Sequence, residues 1–222
     1  MKAMLLAAGR GERLRPLTDR IPKPLIEAGG KALIVHLIEA LAKAGHDDIV
    51  INLAWLGEVI KTTLGDGSRL GARLCYSPEP DDALETGGGI LNALPLLGEA
   101  PFVVVSADIY TDFPFARLPE TPQGLAHLVL VDNPPHNSAG DFAIENGRLR
   151  NEGHRRLTFS GIGVYRPELF NGRPPGRFPL APLLREAASR DRATAEHFRG
   201  AWWDVGSLKR LGALRKRLES RK

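Results

Sequence analysis

Between residues 5 and 25 the chain reads LLAAGRGERLRPLTDRIPKPL, an apolar run followed by two close glycines and a cluster of cations. Glycines at 9 and 11 let backbone N–H groups approach an anion, and an adjacent helix N-terminus would add a favourable dipole. Arg10, Arg13, Arg15, Arg20 and Lys23 supply five positive charges, and Glu12 and Asp19 offset two of them. The excess suits a nucleoside triphosphate better than a singly charged ligand; the plain alternative is a solvated charge run. Two phosphate motifs are excluded. The P-loop pattern, with four residues between its glycines and then Gly-Lys-Ser/Thr, is absent. The dinucleotide fingerprint requires glycine or alanine where Leu14 stands, and an acidic residue about 20 positions on where the chain reads PKPL. Two carboxylates complete the chemically competent set. Asp108 ends the apolar run PFVVVSAD, and the carboxyl end of a parallel strand faces the crevice where open α/β sheets bind ligands. Asp204, in WWDVGS, reads by itself as a turn or helix-start residue, and no local spacing brings it to Asp108.

The elements that must position these residues alternate. Strand-like KAMLLAA (2–8), DIVINLA (48–54), ARLCYS (72–77) and PFVVVSAD (101–108) interleave with helical KALIVHLIEALAKAG (31–45), LGEVIKTTLG (56–65) and TGGGILNALPLL (86–97). This order predicts βαβ units and a mostly parallel sheet with helices on both faces. Further on, LAHLVLV (125–131) and FSGIGVY (159–165) read as strands and LAPLLREAAS (180–189) as a helix. A hairpin turns at Asn146–Gly147 within DFAIENGRLRN (141–151), and a last helix follows the WWDVGS box. With 222 residues, no repeat and no low-complexity linker, one domain over 1–222 is the economical reading.

Composition narrows the function classes. Hydrophobic residues at 43% and charged residues at 25% fit a soluble globular chain, and no apolar run is long enough to cross a bilayer. With no signal-peptide profile, a cytoplasmic location is expected. Cys75 is the one cysteine, which removes disulfides and thiolate metal sites, and its strand setting reads as core packing. Net charge is +4, but aromatics make up only 6%, too few for a nucleic-acid stacking surface. The basic C-terminal segment KRLGALRKRLESRK reads as a helix with a solvated face.

The combination of Gly9-x-Gly11-x-Arg13, Pro16-x-Thr18 and Pro22-Lys23-Pro24 resembles the signature of sugar-1-phosphate nucleotidylyltransferases, and the resemblance extends through ETGGG (85–89), TFSG and the W-x-D-V-G box. It implies an α/β fold, a Rossmann-like α/β/α sandwich with a mixed, mostly parallel central sheet. It divides the chain into a nucleotide half (1–110) and a sugar half (111–222). It implies transfer of a nucleotidyl group from a nucleoside triphosphate to a sugar 1-phosphate with release of pyrophosphate. The work is then positioning and charge stabilisation with magnesium as cofactor. Nucleotide contacts fall to Ala8, Gly9, Gly11, Glu12, Arg13, Lys23, Glu85 and Gly88, with Arg13 and Lys23 catalytic and Lys23 at the α-phosphate. Asp108 and Asp204 become joint metal ligands, and Ser106 and Asp141 sugar contacts. The three glycines of ETGGG are read as clearance for the ligand.

INLAWLG (51–57), GDGSRLG (65–71), YSPE (76–79) and HLVLVDNP (127–134) resemble a compact subgroup that uses UTP and N-acetylmuramic acid α-1-phosphate in cell-wall sugar recycling. Without an assembly extension, a monomer is expected, with neither nucleic acid nor membrane as partner. One departure stands out: Ser106-Ala107-Asp108 replaces the subgroup's Asn-Gly-Asp, and serine has a shorter reach than the amide. Another sugar 1-phosphate such as mannose or glucose, or another base, is therefore the alternative within this chemistry. A nucleotide-binding regulatory protein without catalysis is the alternative outside it, against which stand the retained Lys23 and Asp108. A dehydrogenase is disfavoured by Leu14.

Overall fold

The structure, a computed structural model, describes residues 1–80 and 82–220. The chain opens with β1 (Ala3–Leu6), the short arms β2 (Glu27–Ala28) and β3 (Lys31–Ala32), and α1 (Leu33–Lys43). Then come β4 (Asp48–Leu53), α2 (Gly57–Leu64), β5 (Arg73–Pro78), α3 (Glu85–Leu97), β6 (Phe102–Ser106) and β7 (Ile109–Thr111). The second half holds β8 (Ala126–Val131), β9 (Phe142–Glu145), β10 (Arg148–Arg150), β11 (Arg156–Tyr165), α4 (Ala181–Ser189), β12 (Ala193–Phe198), β13 (Trp202–Asp204) and α5 (Leu208–Glu219).

Nine strands form one sheet in the order β5-β4-β1-β6-β11-β8-β12-β10-β9, so both halves of the chain share it. β10 and β11 run against the other strands, which makes the sheet mixed. The central strands are buried on both faces, as their near-continuous apolar runs require. In β1, Ala3 and Leu5 join the core under α1 and α2, while Met4 joins the opposite core under α3 and α4. In β6, Val103 and Val105 point one way and Phe102 and Val104 the other, the period-two alternation of a pleated strand.

A third, smaller core decides how the glycine loop is held. Leu14, fully buried, packs with Ile26, Leu33 and Val205 and with Leu211 and Leu214 of α5. The residue that breaks the dinucleotide fingerprint thus anchors the loop to the last helix. The basic face of α5 is solvated, as the sequence suggests, but its leucine stripe is what fastens the first segment of the chain to the last.

Two differences from the sequence reading have physical causes. β12 has no counterpart there, because ATAEHF carries only two small buried alanines and one phenylalanine; pairing with β8 in parallel makes it a strand. The ETGGG glycines, read from the sequence as clearance for a ligand, lie inside α3 and pack against protein. A Cβ on Gly87 would stand 2.5 Å from the Phe178 ring, and one on Gly89 2.5 Å from Glu79 Oε1. A Cβ on Gly88 would collide with the Gly176 carbonyl oxygen. The Phe178 carbonyl in turn accepts the Gly87 and Gly88 N–H groups, at 2.9 and 3.1 Å, and so caps the first turn. The glycines make room for the Gly176 backbone, for Phe178 and for the Glu79 side chain.

Candidate active site

Two cavities open along the carboxyl ends of β1 and β6. The smaller, about 230 Å³, is lined by Ala8, Gly9, Gly11, Lys23, Asn52 and Glu85 among others. The larger, about 440 Å³, is bounded by Arg13, His136, Asp141, Gly161, Arg185 and Asp204 among others. Leu6, Thr86, Ser106 and Asp108 belong to both walls, so the cavities meet at the end of β6. The geometry provides two adjoining compartments with a carboxylate at the junction.

The glycine loop closes on itself. Gly11 adopts φ +73°, a left-handed conformation that glycine reaches without strain, and its carbonyl accepts the hydroxyl of buried Thr18 at 3.0 Å. Trp55 Nε1 donates to the Thr18 carbonyl at 3.0 Å, and the Arg10 guanidinium stacks over the Trp55 ring at 3.9 Å. Lys23 follows in a single 3₁₀ turn, its stem against Gly11, with Nζ paired to the Asp108 carboxylate.

The charge run is less available than its sum suggests. Arg10 pairs with Glu12 at 2.7 Å, and Arg15 pairs with Asp19 at 2.9 Å. The ion pairs divide the cluster, leaving Arg13 facing the larger cavity and Lys23 the smaller. Glu12 borders a separate surface recess with Arg10, Trp55 and Arg177, and Gly88 is packed inside α3, so neither lines either compartment. Glu85 reaches the smaller one in a left-handed conformation, φ +59°, held by Arg177 at 3.0 Å.

Asp108 and Asp204 are brought together by a two-stranded ribbon. β13 pairs antiparallel with β7, placing Asp204 opposite Ile109, and the Val205 N–H donates to the Asp108 carbonyl at 2.8 Å. Both carboxylates line the larger cavity. Asp204 accepts from Arg210 at 2.7 and 3.0 Å and has His136 at 3.3 Å. A Cβ on Gly206 would overlap the Arg210 guanidinium and lie 3.0 Å from Arg13, so both arginine heads pass close over this glycine. Trp202 Nε1 donates to the Ser160 carbonyl at 2.9 Å and joins this ribbon to β11.

Around the larger cavity β11 is bulged between Phe159 and Ile162, and Gly161, at φ +82°, lies directly against Ser106; its Cβ would stand 2.6 Å from Ser106 Oγ. Asp141 accepts the Phe159 N–H at 2.8 Å and the Asn137 amide at 3.1 Å. Asp141 is thereby fixed at the cavity wall.

Sequence reading missed Asn52 and Glu79. Asn52, 3% exposed, accepts the Ala7 N–H at 2.7 Å and donates to Glu79 at 2.6 Å; Glu79 accepts the Leu84 N–H at 2.7 Å. An amide inside the β-branched run DIVINLA is itself a signal, since a buried polar group needs partners.

As to metal, the described residues contain no group of three His, Cys, Asp or Glu that could hold an ion. Two carboxylates on one cavity wall instead match the way Mg2+ is held, by one or two carboxylates with substrate phosphates and water completing its shell. No helix among the described residues is long and apolar enough to cross a membrane.

The nucleotidyl transferase family matches residues 2–142. The N-acetylmuramate alpha-1-phosphate uridylyltransferase of Neisseria meningitidis serogroup B is 51% identical over 220 residues, covering 95% of each chain. The protein of the same name from Caulobacter vibrioides is 33% identical, covering 92% of this chain and 91% of its own. The structure of the inositol-1-phosphate CTP transferase from T. maritima superposes with a TM-score of 0.80 at 17% identity, covering 98% of this chain and 96% of that one, which shows a shared fold. A glycine loop ending in a positioned lysine, a strand-end carboxylate and a match over most of the chain lead to one conclusion: this chain belongs to the nucleotidyl transferase family and is an enzyme of it.

Proposed function

We propose that the enzyme transfers a uridylyl group from UTP to N-acetylmuramic acid α-1-phosphate, giving UDP-N-acetylmuramic acid and pyrophosphate. The observation that carries this reading is the 51% identity, end to end, with the meningococcal uridylyltransferase. The compartment lined by Gly9, Gly11, Lys23 and Glu85 takes the nucleotide, and the one lined by Ser106, Asp141 and Arg13 takes the sugar phosphate. An oxygen of the sugar phosphate attacks the α-phosphorus while the bond to pyrophosphate breaks. The two anions must approach each other, so catalysis is chiefly neutralisation and alignment.

Lys23, in the smaller compartment, reaches Asp108 at the junction and exchanges that pairing for the α-phosphate. Arg13 neutralises phosphate from the sugar side. Asp108 and Asp204 are the residues that would hold Mg2+, which when bound shields the phosphate charges of both substrates. Asp204 gives up part of its hold on Arg210 to do so. The same reading takes the enzyme as monomeric and cytoplasmic.

The test is pyrophosphate release with UTP, Mg2+ and a panel of sugar 1-phosphates. Preferred turnover of the muramic ester supports the reading; brisk turnover of the glucose or mannose ester, with none of the muramic one, refutes it.

A further inference from the structure

The wall of the larger cavity carries one cation, Arg185, that the transfer chemistry does not use. Its carboxylates are all engaged: Asp108 by Lys23, Asp204 by Arg210, and Asp141 by the Phe159 N–H and Asn137. Two arginines in its wall, Arg13 and Arg185, form no ion pair among the described residues. Arg13 lies over Gly206 beside the Asp108–Asp204 ribbon, where a phosphate is neutralised. Arg185 comes from a different wall. It projects from α4, and its guanidinium stands 5.0 Å over the ring of Phe142, at the start of β9.

That placement is built rather than incidental. Phe142 is 2% exposed, so the ring is a fixed platform, and stacking on it holds the arginine head without neutralising it. The next residue back, Leu184, is buried in the core and sets the rotation of α4. The Arg185 carbonyl accepts the Asn151 amide at 3.0 Å, which ties this turn of α4 to the segment after β10. A stacked guanidinium that donates no hydrogen bond among the described residues is suited to a planar carboxylate, which it can grip with two parallel hydrogen bonds.

We infer that Arg185 is a specificity-determining residue that reads a carboxylate carried by the sugar ring, at a point distinct from the 1-phosphate. This rests on the function proposed above: N-acetylmuramic acid differs from N-acetylglucosamine by an ether-linked lactyl group that ends in a carboxylate. Two separate cations then match two separate anionic groups on one substrate. A neutral sugar phosphate leaves Arg185 unmatched, so the site selects by the missing partner.

The experiment compares kcat/KM for N-acetylmuramic acid 1-phosphate and N-acetylglucosamine 1-phosphate, with UTP and Mg2+, in wild type, Arg185→Gln and Arg185→Lys. Circular dichroism and the thermal midpoint verify that each variant is folded. For Arg185→Gln the muramic ester is expected to lose about 10- to 100-fold, mainly through KM. The glucosamine ester should stay within about twofold, so that the preference collapses, and Arg185→Lys should recover part of the difference. An equal loss on both esters, or no loss on either, overturns the inference while leaving the uridylyltransferase reading intact. A wild-type enzyme that prefers the glucosamine ester overturns both.

Discussion

Asn52 is a single amide on which the geometry of the smaller compartment hangs, and its replacement has a cost that follows from the bonds it makes. It lies on the same face of β4 as Val50 and is 3% exposed. Its Oδ1 takes the N–H of Ala7 at the end of β1, and its Nδ2 reaches Glu79, which holds the Leu84 N–H. Ala83 and Glu85, on either side of Leu84, both line the smaller cavity. Asn52→Leu keeps the branched shape, with bulkier methyl ends, and removes both bonds. The Ala7 N–H, in a residue only 2% exposed, is left without a partner at a cost of about 1–3 kcal/mol. Half-buried Glu79 loses a charge-assisted bond worth about 1 kcal/mol after water and Leu84 compensate. Added apolar burial returns a similar amount. The net expectation is a loss of about 2 kcal/mol.

Urea unfolding followed by tryptophan fluorescence measures it, with the m-value unchanged. A double-mutant cycle of Asn52→Ala with Glu79→Ala should give a coupling of about 1 kcal/mol, because the two residues share a bond. The KM for UTP should rise several-fold while kcat changes less, since the loop is mispositioned rather than chemically altered. A stability loss below about 0.5 kcal/mol in Asn52→Leu, together with additive single mutants, would refute the reasoning.

Lys23→Ala is expected to lower kcat by about 100- to 1,000-fold in a folded protein, through loss of a positioned cation at the transferred phosphoryl group; turnover within twofold of wild type would contradict that role. Gly88→Ala should cost about 1–3 kcal/mol because the Gly176 carbonyl occupies the Cβ position and is backbone, whereas Gly212→Ala, in open space on α5, should gain about 0.5–1 kcal/mol; unfolding curves of the pair test the packing account. Asp48 is held below its ordinary value of 3.8 by its hydrogen bond to Arg73. Its contribution is therefore present above that value and lost as pH falls through the lowered one. For so exposed a pair it amounts to less than about 1 kcal/mol, and Asp48→Asn should flatten the acid limb of stability against pH by no more than that.

Much of the fold is legible in local pattern. The short β-branched runs at 48–53 and 102–106 read as strands buried on two faces, and Asn146–Gly147 supplies the left-handed pair that a tight hairpin demands. The segment 193–198 is illegible by the same logic, since its strand character comes from pairing with β8 and from burial of small alanines. The glycines at 87–89 show the limit of reading a residue type without its neighbours. Glycine signals that something approaches closely, and only the fold shows that here it is Phe178, Gly176 and Glu79.

By itself the sequence determined the chemistry on offer: a glycine loop, a lysine fixed between two prolines, a carboxylate at a strand end, and no dinucleotide site because Leu14 stands where a small residue is needed. Tertiary structure decided what those groups face. Arg10 and Arg15 are spent on Glu12 and Asp19. Asp204 reaches Asp108 only because β13 pairs with β7, across nearly a hundred residues of chain. Local spacing fixes periodicity over a turn or a strand, whereas which strands become neighbours is settled by burying both faces of one sheet, and that is a property of the whole chain.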